Sequence, residues 1–401
     1  MTSAVPVATV RLKPGHVQPV WAGHPWVYAQ AVERVEGGAT AGDEVRVVDP
    51  RGNFLGRGFY SPGSAIPVRI LVRDEAPRID GHFFHARIAR AEAARRAFGL
   101  PSPDTNGYRV VHSEGDELPG LIVDRFDDVL VIQLLTFGMK VRESLILQAL
   151  VDVLRPRTIL DRTPETVKKL ERFDPGKGVV LGDEVSELVF LERRLRYRLP
   201  LDIGQKTGFY FDQRGLRARV EELAHGRTVL DAYSFIGPFA LAAARGGAKE
   251  VIAVDQSGTA LEVGAECARL NGLEGKIQFL REDAKNALAD AGKSGGRDLV
   301  LLDPPRLAPT RGSRENALVA YARVAEAGCR ATKPGGILVL SSCSAAVDLA
   351  ALTRALATGA LRANRQAVVV ERSFQGHDHP ALSAHGEGLY LKSVIARVEK
   401  R

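Results

Sequence analysis

The chain is poor in cysteine. Cys267, Cys329 and Cys343 are the only three in 401 residues, and no two of them stand in Cys-x-x-Cys spacing. That excludes a disulfide framework and a thiolate zinc site, and it points to a reducing compartment. No apolar run reaches the roughly 18 residues needed to span a bilayer. The opening Met1-Thr-Ser-Ala-Val-Pro6 lacks the charged start and apolar core of a secretory leader. Repeats and low-complexity tracts are also lacking. The expectation is a cytoplasmic protein, off the membrane and without a resident metal.

What is present fits a soluble globular protein: 45% hydrophobic and 26% charged residues. The length exceeds one ordinary core, so two or three domains are expected. The net charge of +7 suggests a polyanionic partner such as nucleic acid; the bland alternative is a basic but indifferent surface.

Residues 7–75 alternate apolar and polar positions between turns at Gly37-Gly38, Asp49-Pro-Arg-Gly52 and Ser61-Pro-Gly63. Val45–Val48 and Val68–Val72 read as strands of a small β module. Its His24-Pro-Trp26-Val-Tyr28 joins aromatic to polar groups, making His24 and Trp26 candidates to stack or clamp RNA, although such rings also serve as core. Asp80 to Phe98 reads as a helix capped by Asp80 and ended by Gly99. Its Arg87, Arg90, Arg95 and Arg96 face either phosphates or solvent. Strands are expected at 108–112, 120–124, 129–135 and 158–161, with a helix over 139–154, giving a middle α+β segment. Glu187–Leu191 and Leu195–Leu201 read as a hairpin. Then Lys206-Thr207-Gly-Phe209-Tyr210 crowds polar and aromatic residues just before the next domain. A cofactor lid suits that place, and an ordinary linker would look the same.

From Thr228 the rhythm becomes strand then helix, with strands at 228–232, 251–255, 276–280, 298–303 and 336–341 and two more near 366–371 and 389–397. That is a doubly wound α/β domain. Acids stand at three successive strand ends: Asp231, Asp255 and Asp283. Asp231 runs on through Tyr233 to Gly237 and Pro238 into a helix. A carboxylate after the second strand can accept both ribose hydroxyls, one after the third the adenine amino group, and Gly237 lets the backbone approach an amino-acid moiety. This is the layout for S-adenosylmethionine. A nicotinamide dinucleotide needs G-x-G-x-x-G, which Gly237-Pro238 breaks.

The fourth strand ends in Asp303-Pro304-Pro305-Arg306, the fifth in Ser341-Ser-Cys343-Ser344. Asp-Pro-Pro occurs in enzymes that methylate planar nitrogen or carbon in nucleic acids. Adenine amine methylation usually places an aromatic residue next, where this chain has Arg306. Pyrimidine C5 is too weak a nucleophile to take a sulfonium methyl, and a thiolate adding to C6 makes it enamine-like. Cys343 is the candidate nucleophile; the alternative is a small residue capping a strand. Asp303, at the same strand-end level, is placed to meet both cofactor and base.

With Gly23-His-Pro-Trp-Val-Tyr28, Leu118-Pro-Gly-Leu-Ile-Val-Asp-Arg-Phe126, Gln205–Arg214, Asp303-Pro-Pro, Ser342-Cys-Ser344 and Glu387-Gly-Leu-Tyr-Leu-Lys392 in view, the chain resembles the bacterial 23S ribosomal RNA 5-methylcytosine methyltransferases that carry an N-terminal PUA domain. The resemblance implies a PUA module at 1–76, a middle α+β domain at 77–186, a linking β-hairpin at 187–202, and a Rossmann-like methyltransferase domain at 203–401 with a mostly parallel seven-stranded sheet. It further implies Cys343 as nucleophile, S-adenosylmethionine as cofactor, 23S rRNA or a large-subunit precursor as partner, and often a homodimer. The family usually carries Thr-Gly-Gly where this chain has Ile236-Gly237-Pro238.

Overall fold

The computed structural model describes residues 8–203, 207–307 and 314–401. The chain divides into two compact units. The first holds residues 8–191, 207–209 and 377–388; the second holds 192–203, 210–376 and 389–401.

The first unit contains two sheets. Six strands form one, in the order Trp26–Val27, Val68–Val72, Phe54–Tyr60, Glu44–Val48, Thr9–Leu12, Val32–Glu36. Alternate residues such as Val45, Val47, Val10 and Leu12 fill its core, as the period of two requires. Gly58 is needed here, because a Cβ would fall 1.9 Å from the Arg69 carbonyl oxygen. Five strands form the other sheet, in the order Gly178–Gly182, Thr158–Asp161, Val129–Leu134, Leu121–Phe126, Gly107–His112. Against it pack the helices Gly81–Ala97 and Glu143–Leu154. The Asp80 carboxylate accepts from the Phe83 amide, as a helix N-cap does. The segment 377–388 belongs to this unit although it lies inside the stretch expected as the methyltransferase domain: Asp378 accepts the Arg109 amide at 3.1 Å and its carbonyl the Arg95 guanidinium at 2.9 Å.

The arginine face expected on the Gly81–Ala97 helix is not a free phosphate grip. Arg95 is buried and paired with both Asp116 oxygens, at 2.5 and 2.7 Å. Arg87 and Arg90 pair with Glu117, and Arg96 with Glu92 at 3.2 Å. Asp116 and Glu117, beyond the end of the helix, absorb three of these charges, and Glu92, one turn back on the same helix, absorbs that of Arg96.

The strands Glu187–Glu192 and Leu195–Pro200 form the hairpin, turning through Arg193 and Arg194 with both in the left-handed region. The second unit is built on a seven-stranded sheet: β1 Thr228–Ala232, β2 Glu250–Asp255, β3 Ile277–Arg281, β4 Arg297–Leu302, β5 Thr332–Ser342, β6 Arg365–Phe374 and β7 Lys392–Lys400. Its order is β3-β2-β1-β4-β5-β7-β6, with β7 alone antiparallel to β5 and β6. The order reverses between β1 and β4, and a ligand cleft lies outside the carboxyl ends of the strands at such a switch point. Among the described residues no helix is long and apolar enough to cross a membrane.

Candidate active site

The turn after β1 is built against the usual backbone preferences. Tyr233, Phe235 and Gly237 all have positive φ, at 67°, 55° and 73°. Two of the three are not glycine, a strained conformation that clusters at ligand sites. Gly237 is the N-cap of the helix Pro238–Arg245, so Pro238 stands at its first position, where a missing N–H breaks no helical bond. A Cβ on Gly237 would approach Phe279 to 3.1 Å.

Three expected acids border this turn. Asp231, at the end of β1, is buried, and one oxygen accepts from the Ala240 amide at 3.1 Å. Burial pushes its carboxyl well above the usual range, and the charges of Asp303 and Asp255 push the same way. Such a site suits a cationic ligand. Asp255 ends β2 and accepts the Phe235 amide at 2.8 Å and the Ser257 amide at 2.9 Å, one on each oxygen. Each oxygen retains a lone pair for a hydroxyl. Asp283 follows β3, caps the helix Ala284–Lys293 at the Lys285 amide and accepts from Gln256. Its charge reaches the Tyr233 phenol, which burial has already raised. These residues fit S-adenosylmethionine: a strained turn free of bulk at Gly237, a carboxylate with spare lone pairs at β2, and a buried acid beside it.

Asp303 directly follows β4 and Cys343 directly follows β5, its parallel neighbour, with Leu302 opposite Leu340 in register. Both sit within electrostatic reach of the same two phenols. Tyr210 is raised by burial first and then by Asp212, Asp303, Cys343 and Asp255; Tyr321 is raised by burial and by Cys343 and Asp303. Gln213 donates to Asp303 Oδ2 at 2.9 Å. Pro304 is buried, while Pro305 and Arg306 are exposed beyond it. The three thiols differ. Burial pushes Cys267 up to about 11 and Cys329 up to about 12, whereas Cys343 is half-exposed.

Lys392 supports this end of the sheet from β7. It stands opposite Ser342 and is buried, and its Nζ donates to the carbonyls of Ser344 and Val347. Burial lowers its ammonium to about 8, the Cys343 and Asp348 charges oppose that, and Arg306 adds to it. Tyr210, Gln213, Tyr321 and Lys392 are not legible in the sequence as site residues, although Tyr210 and Gln213 lie in the Gln205–Arg214 motif and Lys392 ends the Glu387–Lys392 motif.

Four other expected positions belong to the first unit. Thr207 and Phe209 are buried in the first unit, the Phe209 ring 5.0 Å from that of Phe190. Lys206 lies outside the described residues. His24 and Trp26 are in the first unit too: His24 Nε2 is 3.3 Å from Glu387, and the Trp26 indole donates to Glu114 at 2.7 Å.

Two family models match the chain, a PUA-like domain over residues 10–73 and an S-adenosylmethionine-dependent methyltransferase over residues 127–384. The ribosomal RNA large subunit methyltransferase I of Aeromonas hydrophila subsp. hydrophila is 34% identical over 97% of this chain and 99% of its own. The protein of the same name from Pseudoalteromonas translucida is 34% identical over 99% of this chain and all of its own. Among solved structures, the methyltransferase SMU.776 complexed with SAH superposes with a TM-score of 0.84 at 18% identity, covering 97% of this chain and 99% of that one. A SAM-dependent methyltransferase from Streptococcus mutans gives 0.82 at the same identity and coverage.

Proposed function

The chain belongs to the S-adenosylmethionine-dependent methyltransferase family, and we propose that it methylates cytosine C5 in 23S ribosomal RNA through a covalent adduct between Cys343 and C6 of the base. The observation that carries this reading is a half-exposed thiol and an Asp-Pro-Pro carboxylate at the ends of adjacent parallel strands, while the other two thiols are buried and held protonated. The curated relatives are named for the large-subunit RNA, and the likeness covers nearly the whole of both chains. The PUA-like domain supports an RNA substrate.

In this mechanism Cys343 Sγ forms a bond to C6, and the C5–C6 electron pair becomes enamine-like. S-adenosylmethionine, when bound, supplies the electrophilic methyl group that C5 takes up. Asp303 hydrogen-bonds the N3–N4 edge of the cytosine and stabilises the adduct, with Gln213 fixing the carboxylate. A base then removes the C5 proton, the electron pair restores the C5–C6 double bond, and the thiolate leaves. Asp231, Asp255, Asp283, Tyr233 and Gly237 hold the cofactor, and Pro304, Pro305 and Arg306 shape the base pocket. His24 and Trp26 belong to the RNA-binding module.

The test is methylation of unmodified 23S rRNA by the purified enzyme, followed by nuclease digestion and nucleoside mass spectrometry. The expected product is 5-methylcytidine at one position, absent with Cys343→Ala. A methylated guanine nitrogen that survives Cys343→Ala would overturn the reading.

A further inference from the structure

The Gly23-His-Pro-Trp26 turn and the returning segment 377–388 meet inside the first unit. His24, His385 and Glu387 each bring one ligand atom there, all within 4.8 Å of one another. His24 Nε2 and Glu387 Oε2 are 3.3 Å apart. Ligand atoms on a tetrahedral Zn²⁺ with bonds of about 2.0–2.1 Å lie roughly 3.3–3.4 Å from each other. His385 is only 4% exposed, and its Nε2 is buried with no hydrogen-bond partner. Buried polar atoms left this way are rare and require an explanation.

The surroundings fit the same role. His24 Nδ1 lies 3.3 Å from the Trp26 carbonyl oxygen. It also lies 3.2 Å from the Trp26 amide nitrogen, which donates to it when the ring proton is on Nε2. In the other tautomer Nδ1 donates to the carbonyl and Nε2 presents a lone pair inward, the arrangement found behind metal-binding histidines, so an ion at this position selects that tautomer. The Tyr28 hydroxyl donates to Glu387 Oε1 at 2.9 Å, which fixes the carboxylate and leaves Oε2 on the His24 side. The Trp26 ring lies against His385 with centroids 4.4 Å apart. Glu114, held by the Trp26 indole, acts on His385 electrostatically as Glu387 does, so two carboxylates favour positive charge at that imidazole.

We propose that His24, His385 and Glu387 form a site for a divalent transition-metal ion of the zinc class, which fastens the 377–388 segment to the N-terminal sheet. Two imidazoles and one carboxylate suit Zn²⁺ and its neighbours, whereas Mg²⁺ and Ca²⁺ require mostly oxygen. Without an ion the same atoms form a His24–Glu387 hydrogen bond and leave His385 Nε2 unsatisfied. The proposal is independent of which base the enzyme methylates.

The test uses the full chain, stripped with a chelator and then titrated with ZnCl₂, with bound zinc measured by elemental mass spectrometry and calorimetry. One ion per chain and a higher melting temperature are expected. Glu387→Gln, which keeps an acceptor for Tyr28, and His385→Asn should each weaken zinc binding at least tenfold. Tyr28→Phe leaves the ligands in place and should weaken it by about 10–100-fold through loss of support for the carboxylate. Cys343→Ser should bind as the wild type does. No bound zinc and no thermal shift in the wild type overturns the proposal. So does undiminished binding in Glu387→Gln and His385→Asn.

Discussion

Lys392 Nζ donates to the Ser344 carbonyl at 2.7 Å, one residue beyond Cys343, so a buried ammonium on the antiparallel strand holds the loop that carries the thiol. A second bond, to Val347 at 2.6 Å, fixes the far side of the same loop. A lysine in this position sets both the geometry and the charge around Cys343.

Lys392→Met should lower turnover more than cofactor affinity, because the loop positions the nucleophile and not the cofactor acids. It should also change how stability depends on pH. Burial lowers the Lys392 ammonium from 10.5 to about 8. The unfolded chain therefore binds the proton more tightly, and this group's contribution to stability rises with pH between about 8 and 10.5. Tyr210 acts in the opposite sense above pH 10, since folding holds its phenol protonated. Melting temperatures of wild type and variant between pH 8 and 10 should diverge, with the wild type gaining. Parallel curves would remove Lys392 from this role.

Asp255→Asn should weaken S-adenosylmethionine binding by tenfold or more, about 1.4 kcal/mol, since a neutral amide replaces a charge-assisted acceptor for the ribose hydroxyls. Asparagine keeps one acceptor for the Phe235 or Ser257 amide, so the turn should hold. Titration calorimetry with an accompanying thermal melt separates affinity from folding; unchanged affinity would take Asp255 out of the cofactor site.

Arg95→Met should destabilise the first unit by about 3–5 kcal/mol, because it leaves Asp116 buried and uncompensated. Arg96→Ala, whose side chain is 65% exposed, should cost under about 1 kcal/mol. Hydrogen exchange of the Gly107–His112 strand reports the difference. Equal protection in the two variants would contradict the buried pairing.

The second unit was legible in the sequence because its signals are local. β1 to β5 are short apolar runs ending in acids, prolines or a cysteine, and each matches its expected span closely, although β5 begins at Thr332 rather than 336. The first unit was legible only in part. Arg95 reads as one more basic residue on a helix, and nothing near it in sequence announces that Asp116 and the Asp378 carbonyl surround it. Segment 377–388 lies between strands of the second unit, so periodicity assigns it there, yet Asp378 and Glu387 bond within the first, and the His385 ring packs there against Trp26. Lys392 shows the same limit, since lysine reads as a surface residue and its burial depends on two backbone carbonyls that only the fold brings together.

The decisive prediction concerns Cys343. It stands one strand beyond Asp303-Pro-Pro, half-exposed, with no aromatic residue after the second proline. If its sulfur adds to C6, RNA carrying 5-fluorocytosine at the target should be trapped, because fluorine at C5 cannot leave as a proton and elimination stalls. A protein–RNA adduct should then survive a denaturing gel, in an amount that depends on added S-adenosylmethionine. Cys343→Ala should give no adduct and no turnover while keeping both binding affinities, since the thiol acts in the reaction and not in recognition. Cys267→Ala and Cys329→Ala should trap normally, because both thiols are buried and held protonated by that burial; their losses should be confined to stability, at about 1–3 kcal/mol from the space left in the core. Asp303→Asn should trap more slowly than wild type, as the adduct loses the carboxylate that steadies the N3–N4 edge. An adduct that forms in Cys343→Ala, or turnover in that variant at a rate near wild type, would show that the methyl group reaches the base without this sulfur.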